Sequence, residues 1–168
     1  MPNTYTLISS NVLGSSAASV TFSAIPSTYT DLVLKASTRN SSGGTCVIAT
    51  TFNGQASGYS VTRLRGTGSS ASSGRTSSAT YLYFSLTDST YTANTFSNWE
   101  MYLPNYLSTT SKPVSNFSVT ENNATASYID VNAGLSNITS AITSVTLTAD
   151  GDTFVSGSSF YLYGIKNS

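Results

Sequence analysis

Leu32-Val33-Leu34-Lys35-Ala36-Ser37 decides the fold class of this chain: Leu32, Leu34 and Ala36 fall on one side of an extended backbone, and Val33, Lys35 and Ser37 on the other. Side chains of a strand alternate with period two, so the pattern is that of a strand with one packed and one outward face. Asn40-Ser41-Ser42-Gly43-Gly44 breaks the run, as clusters of turn formers do. Upstream, Ala18, Val20 and Phe22 alternate with Ser19, Thr21 and Ser23 until Ile25-Pro26. Downstream, Cys46, Ile48, Thr50 and Phe52 run to Asn53-Gly54, a dipeptide suited to tight turns because both residues tolerate a left-handed backbone.

The same alternation recurs outward from this centre. Residues 59–64 form a candidate strand, and in 81–86 Tyr81 and Tyr83 oppose Leu82, Phe84 and Leu86. Across 96–103, Trp99, Met101 and Leu103 share a face until Pro104-Asn105 ends it, and 114–120, 128–131, 142–148 and 160–165 complete a set of about ten. These segments are rich in the β-branched and aromatic residues that suit pleated sheets. Residues 133–141 are expected as a loop or single turn, and 66–74 (Gly-Thr-Gly-Ser-Ser-Ala-Ser-Ser-Gly) as a flexible loop. No strand-helix-strand unit appears, so a parallel sheet is disfavoured. The expected fold is all-β: a two-sheet antiparallel β-sandwich, with a jelly roll as the expected variant.

With 168 residues the chain is long enough for one well-formed core, and residues 1–168 are expected to be a single free-standing β-sandwich domain. Seven basic and seven acidic side chains cancel, and only 8% of residues are charged, against about 25% in ordinary soluble domains. Ser and Thr make up roughly a third of the chain. Such a surface is hydrated without electrostatic steering. The basic residues Lys35, Arg39, Arg63, Arg65, Arg75, Lys112 and Lys166 are scattered, which disfavours nucleic acid as a partner. Disorder is disfavoured too, because 39% of residues are hydrophobic and they recur in patterned runs.

The composition also bears on chemistry. There is no histidine, which removes the commonest general base and metal ligand. The single cysteine, Cys46, lies in the apolar run Thr45-Cys46-Val47-Ile48 and reads as a small buried hydrophobe. Zinc, P-loop and dinucleotide patterns are absent, so no cofactor is expected. A Ser-Lys arrangement using Lys35, Lys112 or Lys166 is formally possible but disfavoured, because Lys35 on the polar face of a strand and Lys166 two residues from the C-terminus read as solvated. Among the carboxylates Asp88, Glu100, Glu121, Asp130, Asp150 and Asp152, the closest pair is Asp150-Gly151-Asp152. Placed directly after a strand, it reads as a hairpin turn, with a weak calcium site as the alternative and a glycan-hydrolysing carboxylate pair as a remote third. No catalytic residue is assigned, and an enzyme is not expected. Four N-glycosylation patterns begin at Asn40, Asn116, Asn123 and Asn137; this composition produces them by chance.

The N-terminal Met1-Pro2-Asn3-Thr4-Tyr5 has no basic region or apolar stretch of a secretory leader, and no apolar run is long enough to span a membrane. Phe22, Phe84, Trp99 and Phe160 are expected in the core. Tyr81, Tyr83, Tyr161 and Tyr163 recur at period two and are the candidate interface residues, together with the closely spaced Arg63 and Arg65. Packing between sheets is the simplest reading of these tyrosines; a protein or carbohydrate interface is the functional alternative, for which tyrosine is suited because it is rigid and amphipathic.

The segments Thr4-Tyr5-Thr6-Leu7-Ile8-Ser9-Ser10, Ser19-Val20-Thr21-Phe22 and Ile25-Pro26-Ser27-Thr28-Tyr29-Thr30-Asp31-Leu32-Val33-Leu34 resemble small virion structural proteins of tailed bacteriophages. So do Glu100-Met101-Tyr102-Leu103-Pro104-Asn105-Tyr106 and Phe160-Tyr161-Leu162-Tyr163-Gly164-Ile165-Lys166-Asn167-Ser168. The resemblance implies a virion protein made in the host bacterial cytoplasm. A capsid decoration (cement) protein on the outer shell is the first expectation. It would bind the major capsid protein and copies of itself, commonly as a homotrimer. A tail-fibre or receptor-binding module that recognises a host surface glycan or protein is the second. Neither involves a membrane.

Overall fold

The computed structural model describes residues 4–43, 46–85, 87–121, 123 and 127–166. Among them are twelve strands and no helix: β1 (Tyr5–Val12), β2 (Ser19–Phe22), β3 (Asp31–Thr38), β4 (Val47–Phe52), β5 (Tyr59–Gly66), β6 (Ala71–Ala79), β7 (Leu82–Ser85), β8 (Ser97–Leu103), β9 (Lys112–Val119), β10 (Ile129–Ser136), β11 (Val145–Ala149) and β12 (Ser159–Ile165). They form an eight-stranded sheet in the order β1-β12-β3-β8-β9-β10-β5-β6 and a four-stranded sheet in the order β2-β11-β4-β7. Every pairing between these strands is antiparallel.

The two sheets pack as the expected β-sandwich. The alternation at its centre is preserved: Leu32, Leu34 and Ala36 are buried while Lys35 is exposed. Trp99, Met101 and Leu103 of β8 face the same interior. The four aromatics expected in the core, Phe22, Phe84, Trp99 and Phe160, are all buried. Phe84 of the small sheet stacks on Trp99 of the large one at 6.0 Å between ring centroids. One continuous cluster of buried side chains runs from Leu13 to Leu162. The strand order is more elaborate than the eight strands of a plain jelly roll. The meander β8-β9-β10 lies between β3 and β5, while β12 and β1 extend the sheet beyond β3.

Three local expectations are corrected. Residues 66–74 are not a flexible loop. Gly66 ends β5, a turn closes through Thr67 N donating to Ser70 O at 2.9 Å, and Ala71 begins β6. Small hydroxyl side chains hide such a strand because its ladder uses backbone groups alone, and β6 is exposed on both faces for almost its whole length. Residues 133–136 belong to β10; its two neighbours β5 and β9 supply the ladder that local sequence does not announce. Asp150-Gly151 does make a turn, with Gly151 at φ 86° and Asp152 N donating to Ala149 O. It is not a hairpin, because the following strand, β12, lies in the other sheet. The expectations that fall on Thr45, Leu86, Asn167, Ser168 and the first three residues, and on the glycosylation pattern at Ala124-Thr125, lie outside the described residues.

At Asn53-Gly54 both residues have positive φ, 50° and 71°, as the dipeptide predicts. The Asn53 carboxamide then ties the loop before β11 in place: its Oδ1 accepts from Thr143 N at 2.8 Å and its Nδ2 donates to Ala141 O at 2.8 Å.

Candidate functional site

Strands β9 and β10 have their polarity reversed. On β9 the inward residues are Lys112, Val114, Asn116 and Ser118, and the outward ones are Pro113, Ser115, Phe117 and Val119. On β10 Asp130, Asn132 and Ser136 point in, while Ile129, Val131, Ala133 and Leu135 point out. A one-residue shift would exchange the two faces. The observed register is held by polar contacts. Asp130 pairs with Arg65, Asn132 Nδ2 donates to Asn116 Oδ1 at 3.1 Å, and Asn116 Nδ2 donates to Glu100 O at 2.9 Å. The arrangement is imperfect: Asn132 Oδ1, Ser118 Oγ and Trp99 Nε1 are buried without a protein partner, at about 1–3 kcal/mol each. The chain thus buries poorly satisfied polar groups while turning large apolar ones out.

The outward face of the large sheet divides in two. Its aliphatic half spans β5, β10 and β9, where Leu64, Val131 and Phe117 form one cross-strand row. These three are 56%, 50% and 46% exposed, and Ile129 and Leu135 beside them are 48% and 41% exposed. Soluble monomers carry single exposed apolar residues routinely, but a contiguous group of this kind marks a contact surface.

The tyrosine half spans β8, β3, β12 and β1. Register places Val33 between Tyr102 and Tyr163, and Tyr163 beside Leu7. Val33 is only 1% exposed although it faces outward. Tyr5 meets Tyr163 edge to face at 6.4 Å. The Tyr102 hydroxyl donates to Asp31 Oδ2 at 2.8 Å, and that carboxylate pushes the phenol pKa up. The border between the halves is a single ion pair, Lys35 Nζ to Glu100 Oε2 at 2.8 Å. Glu100 holds the Lys35 proton more tightly and raises its pKa.

The six residues expected at an interface do not converge. Tyr161 and Tyr163 lie half-buried on the outward face of β12. Tyr83 belongs to β7 of the small sheet, with its hydroxyl 2.9 Å from Thr76 Oγ1 of β6. Tyr81 precedes β7 and donates to Asp150 Oδ2 at 2.7 Å, which with burial pushes its pKa up to about 12. Arg63 and Arg65 alternate with the outward Leu64 and so project to the inner side. Arg65 is committed there: Nε and Nη2 reach the two Asp130 oxygens at 2.8 Å each. Its guanidinium also lies 4.1 Å from the Tyr128 ring centroid.

The aliphatic half was not anticipated as a site. Its signal, the alternation of Ile129, Val131, Ala133 and Leu135 with Asp130, Asn132 and Ser136, was present. Period two tells the two faces apart without telling which one is inside.

Ser85, Lys112 and Cys46 are held inside the sandwich. Ser85 Oγ contacts both Asp130 and Arg65, but that carboxylate already serves the guanidinium. Lys112 is buried, its ammonium donating to the carbonyls of Ser108 and Thr110 at 2.6 Å and of Ile138 at 3.3 Å; burial lowers its pKa. Burial raises the Cys46 thiol pKa. Among the described residues no group of three or more His, Cys, Asp or Glu side chains is arranged to hold a metal ion, and no helix is long and apolar enough to cross a membrane. No family model, curated protein or solved structure matches this chain.

Proposed function

We propose that this chain is a non-enzymatic virion structural protein, a decoration (cement) protein on the outer shell of a tailed phage, acting through the outward face of its large sheet. One observation carries the reading: that face presents contiguous apolar and tyrosine side chains around a single mutually neutralised ion pair. A surface of this kind adheres by shape and apolar burial, with little contribution from charge. Repeated over a lattice of capsid subunits, modest contacts of one domain sum to stable attachment when several copies act together. The resemblance of the terminal and central segments to phage virion proteins supports the same reading.

The tyrosine half favours a second reading, a tail-fibre or receptor-binding module. Tyr5, Tyr102, Tyr161 and Tyr163 share one face, and phenol rings with reachable hydroxyls are suited to stacking on and hydrogen bonding to a glycan.

Counting copies per purified particle separates the two. Hundreds of copies are expected for decoration. A handful, with binding of the isolated protein to host cells, would replace decoration by the tail reading. Absence from particles would overturn both.

A further inference from the structure

We infer that the border between the two halves of the outward face binds an uncharged carbohydrate, Phe117 stacking on sugar rings while the Lys35–Glu100 pair hydrogen-bonds to their hydroxyls. The inference rests on the reading that this sheet face is the contact face, and gives the receptor-binding alternative a defined glycan site.

The register brings the parts together. Lys35 lies opposite Glu100, and Glu100 lies opposite Phe117; directly opposed side chains have Cβ atoms about 4.5–5.5 Å apart. A depression flanks this row on each side. One, of about 250 Å³, is lined by Lys35, Asn98, Glu100 and Phe117 together with β8 and β9 neighbours. The other, of about 290 Å³, shares Glu100 and Phe117 with the first and reaches Tyr102 and Ser115. Ser115 stands opposite Tyr102, and its small side chain leaves the second depression open. Sites for drug-sized ligands run about 300–1,000 Å³. Each depression is smaller and suits a single ring, and the two meet at Glu100 and Phe117 as linked rings require.

The chemistry selects the class of ligand. A pyranose has a face of C–H groups and a rim of hydroxyls that both donate and accept. Phe117, 46% exposed, offers its ring to the first. The ion pair offers both kinds of partner to the second: Lys35 and Glu100 touch at 2.8 Å, yet their side chains stay 50% and 47% exposed. An ammonium carries three donors and a carboxylate about four acceptor positions, so one mutual bond leaves most of each open. Hydrogen bonds to charged groups are the stronger kind. An apolar peptide or lipid would strip water from both charges and offer no partner in return. An acidic sugar fits no better, because Lys35 is already neutralised and the incoming anion would be held beside the Glu100 carboxylate.

The test titrates neutral disaccharides of glucose, galactose, mannose and N-acetylglucosamine into the full chain, followed by two-dimensional amide NMR. At least one should bind with a millimolar dissociation constant and move the amide signals of β8 and β9. Phe117→Ala and Glu100→Gln should each weaken that binding by about tenfold or more. Thr21→Ala, on the small sheet's outer face, should leave it unchanged. An amide spectrum like that of the parent identifies the variants that remain folded. A disaccharide carrying a glucuronate should bind more weakly than its neutral counterpart. Binding by none of these sugars at tens of millimolar would overturn the site. So would binding that persists in both the Phe117 and Glu100 variants, or a preference for the glucuronate. Host-cell binding that both variants retain would leave the receptor-binding reading standing while removing this site from it.

Discussion

Asp130 holds the guanidinium of Arg65 in a two-pronged ion pair, with both contacts at 2.8 Å, a fully buried carboxylate and an arginine side chain 17% exposed. The pair joins neighbouring strands β10 and β5 on the inner side of the large sheet. Its geometry also decides the outer side, because Leu64 and Arg65, like Val131 and Asp130, must point opposite ways.

Removing one partner should be severe. Asp130→Ala leaves a cation largely buried, and is expected to lower unfolding free energy by about 3–5 kcal/mol, read from urea denaturation. Replacing both, Arg65→Met with Asp130→Leu, should recover most of that loss, because the desolvation of two charges is removed together with their attraction.

Tyr81 and Asp150 predict an alkaline limit. The folded-state phenol titrates near 12 because its proton bridges to Asp150, whereas an unfolded tyrosine titrates near about 10. The folded state therefore holds the proton more tightly. Its contribution is complete below about pH 10 and lost as pH rises toward 12. The urea midpoint of the parent should fall over that window more steeply than that of Tyr81→Phe.

Gly164 on β12 has no room for a side chain. A Cβ there would lie 2.3 Å from Cγ of Tyr29, so Gly164→Ala must push the ring aside. Overpacking of this kind costs about 1–3 kcal/mol. The thermal midpoint should fall by several degrees, measured by circular dichroism.

Lys112→Met keeps the volume of the side chain and removes its donors. The carbonyls of Ser108, Thr110 and Ile138 would each lose a partner, and a destabilisation of about 1–3 kcal/mol is expected. Chemical denaturation at neutral pH checks it. Unchanged stability would mean that these carbonyls are satisfied without the ammonium.

On the proposed decoration role, attachment to particles should survive moderate salt, because the outward face carries few charges and its central pair is already neutralised. Tyr161→Ser with Tyr163→Ser should reduce occupancy on particles in a salt-wash and sedimentation assay, run well below the variant's thermal midpoint because loss of the Tyr5 contact and of the cover over Val33 also lowers stability. Release of the parent by moderate salt would count against apolar attachment.

The amino-acid sequence by itself determined the fold class and much of the core. Leu32, Leu34, Trp99, Met101 and Phe160 fall inside, where the apolar side of an alternating strand is ordinarily buried. It also marked Asn53-Gly54 and Asp150-Gly151 as turns, since backbone strain there is a property of the residues themselves. Tertiary structure decided the rest. β6 exists because β5 offers it a backbone ladder, which no side chain of Ala71–Ala79 encodes. The outward direction of Phe117 and Val131 was decided by neighbours. Strand periodicity separates two faces, and Arg65 reaching Asp130 from an adjacent strand selects which of them is buried.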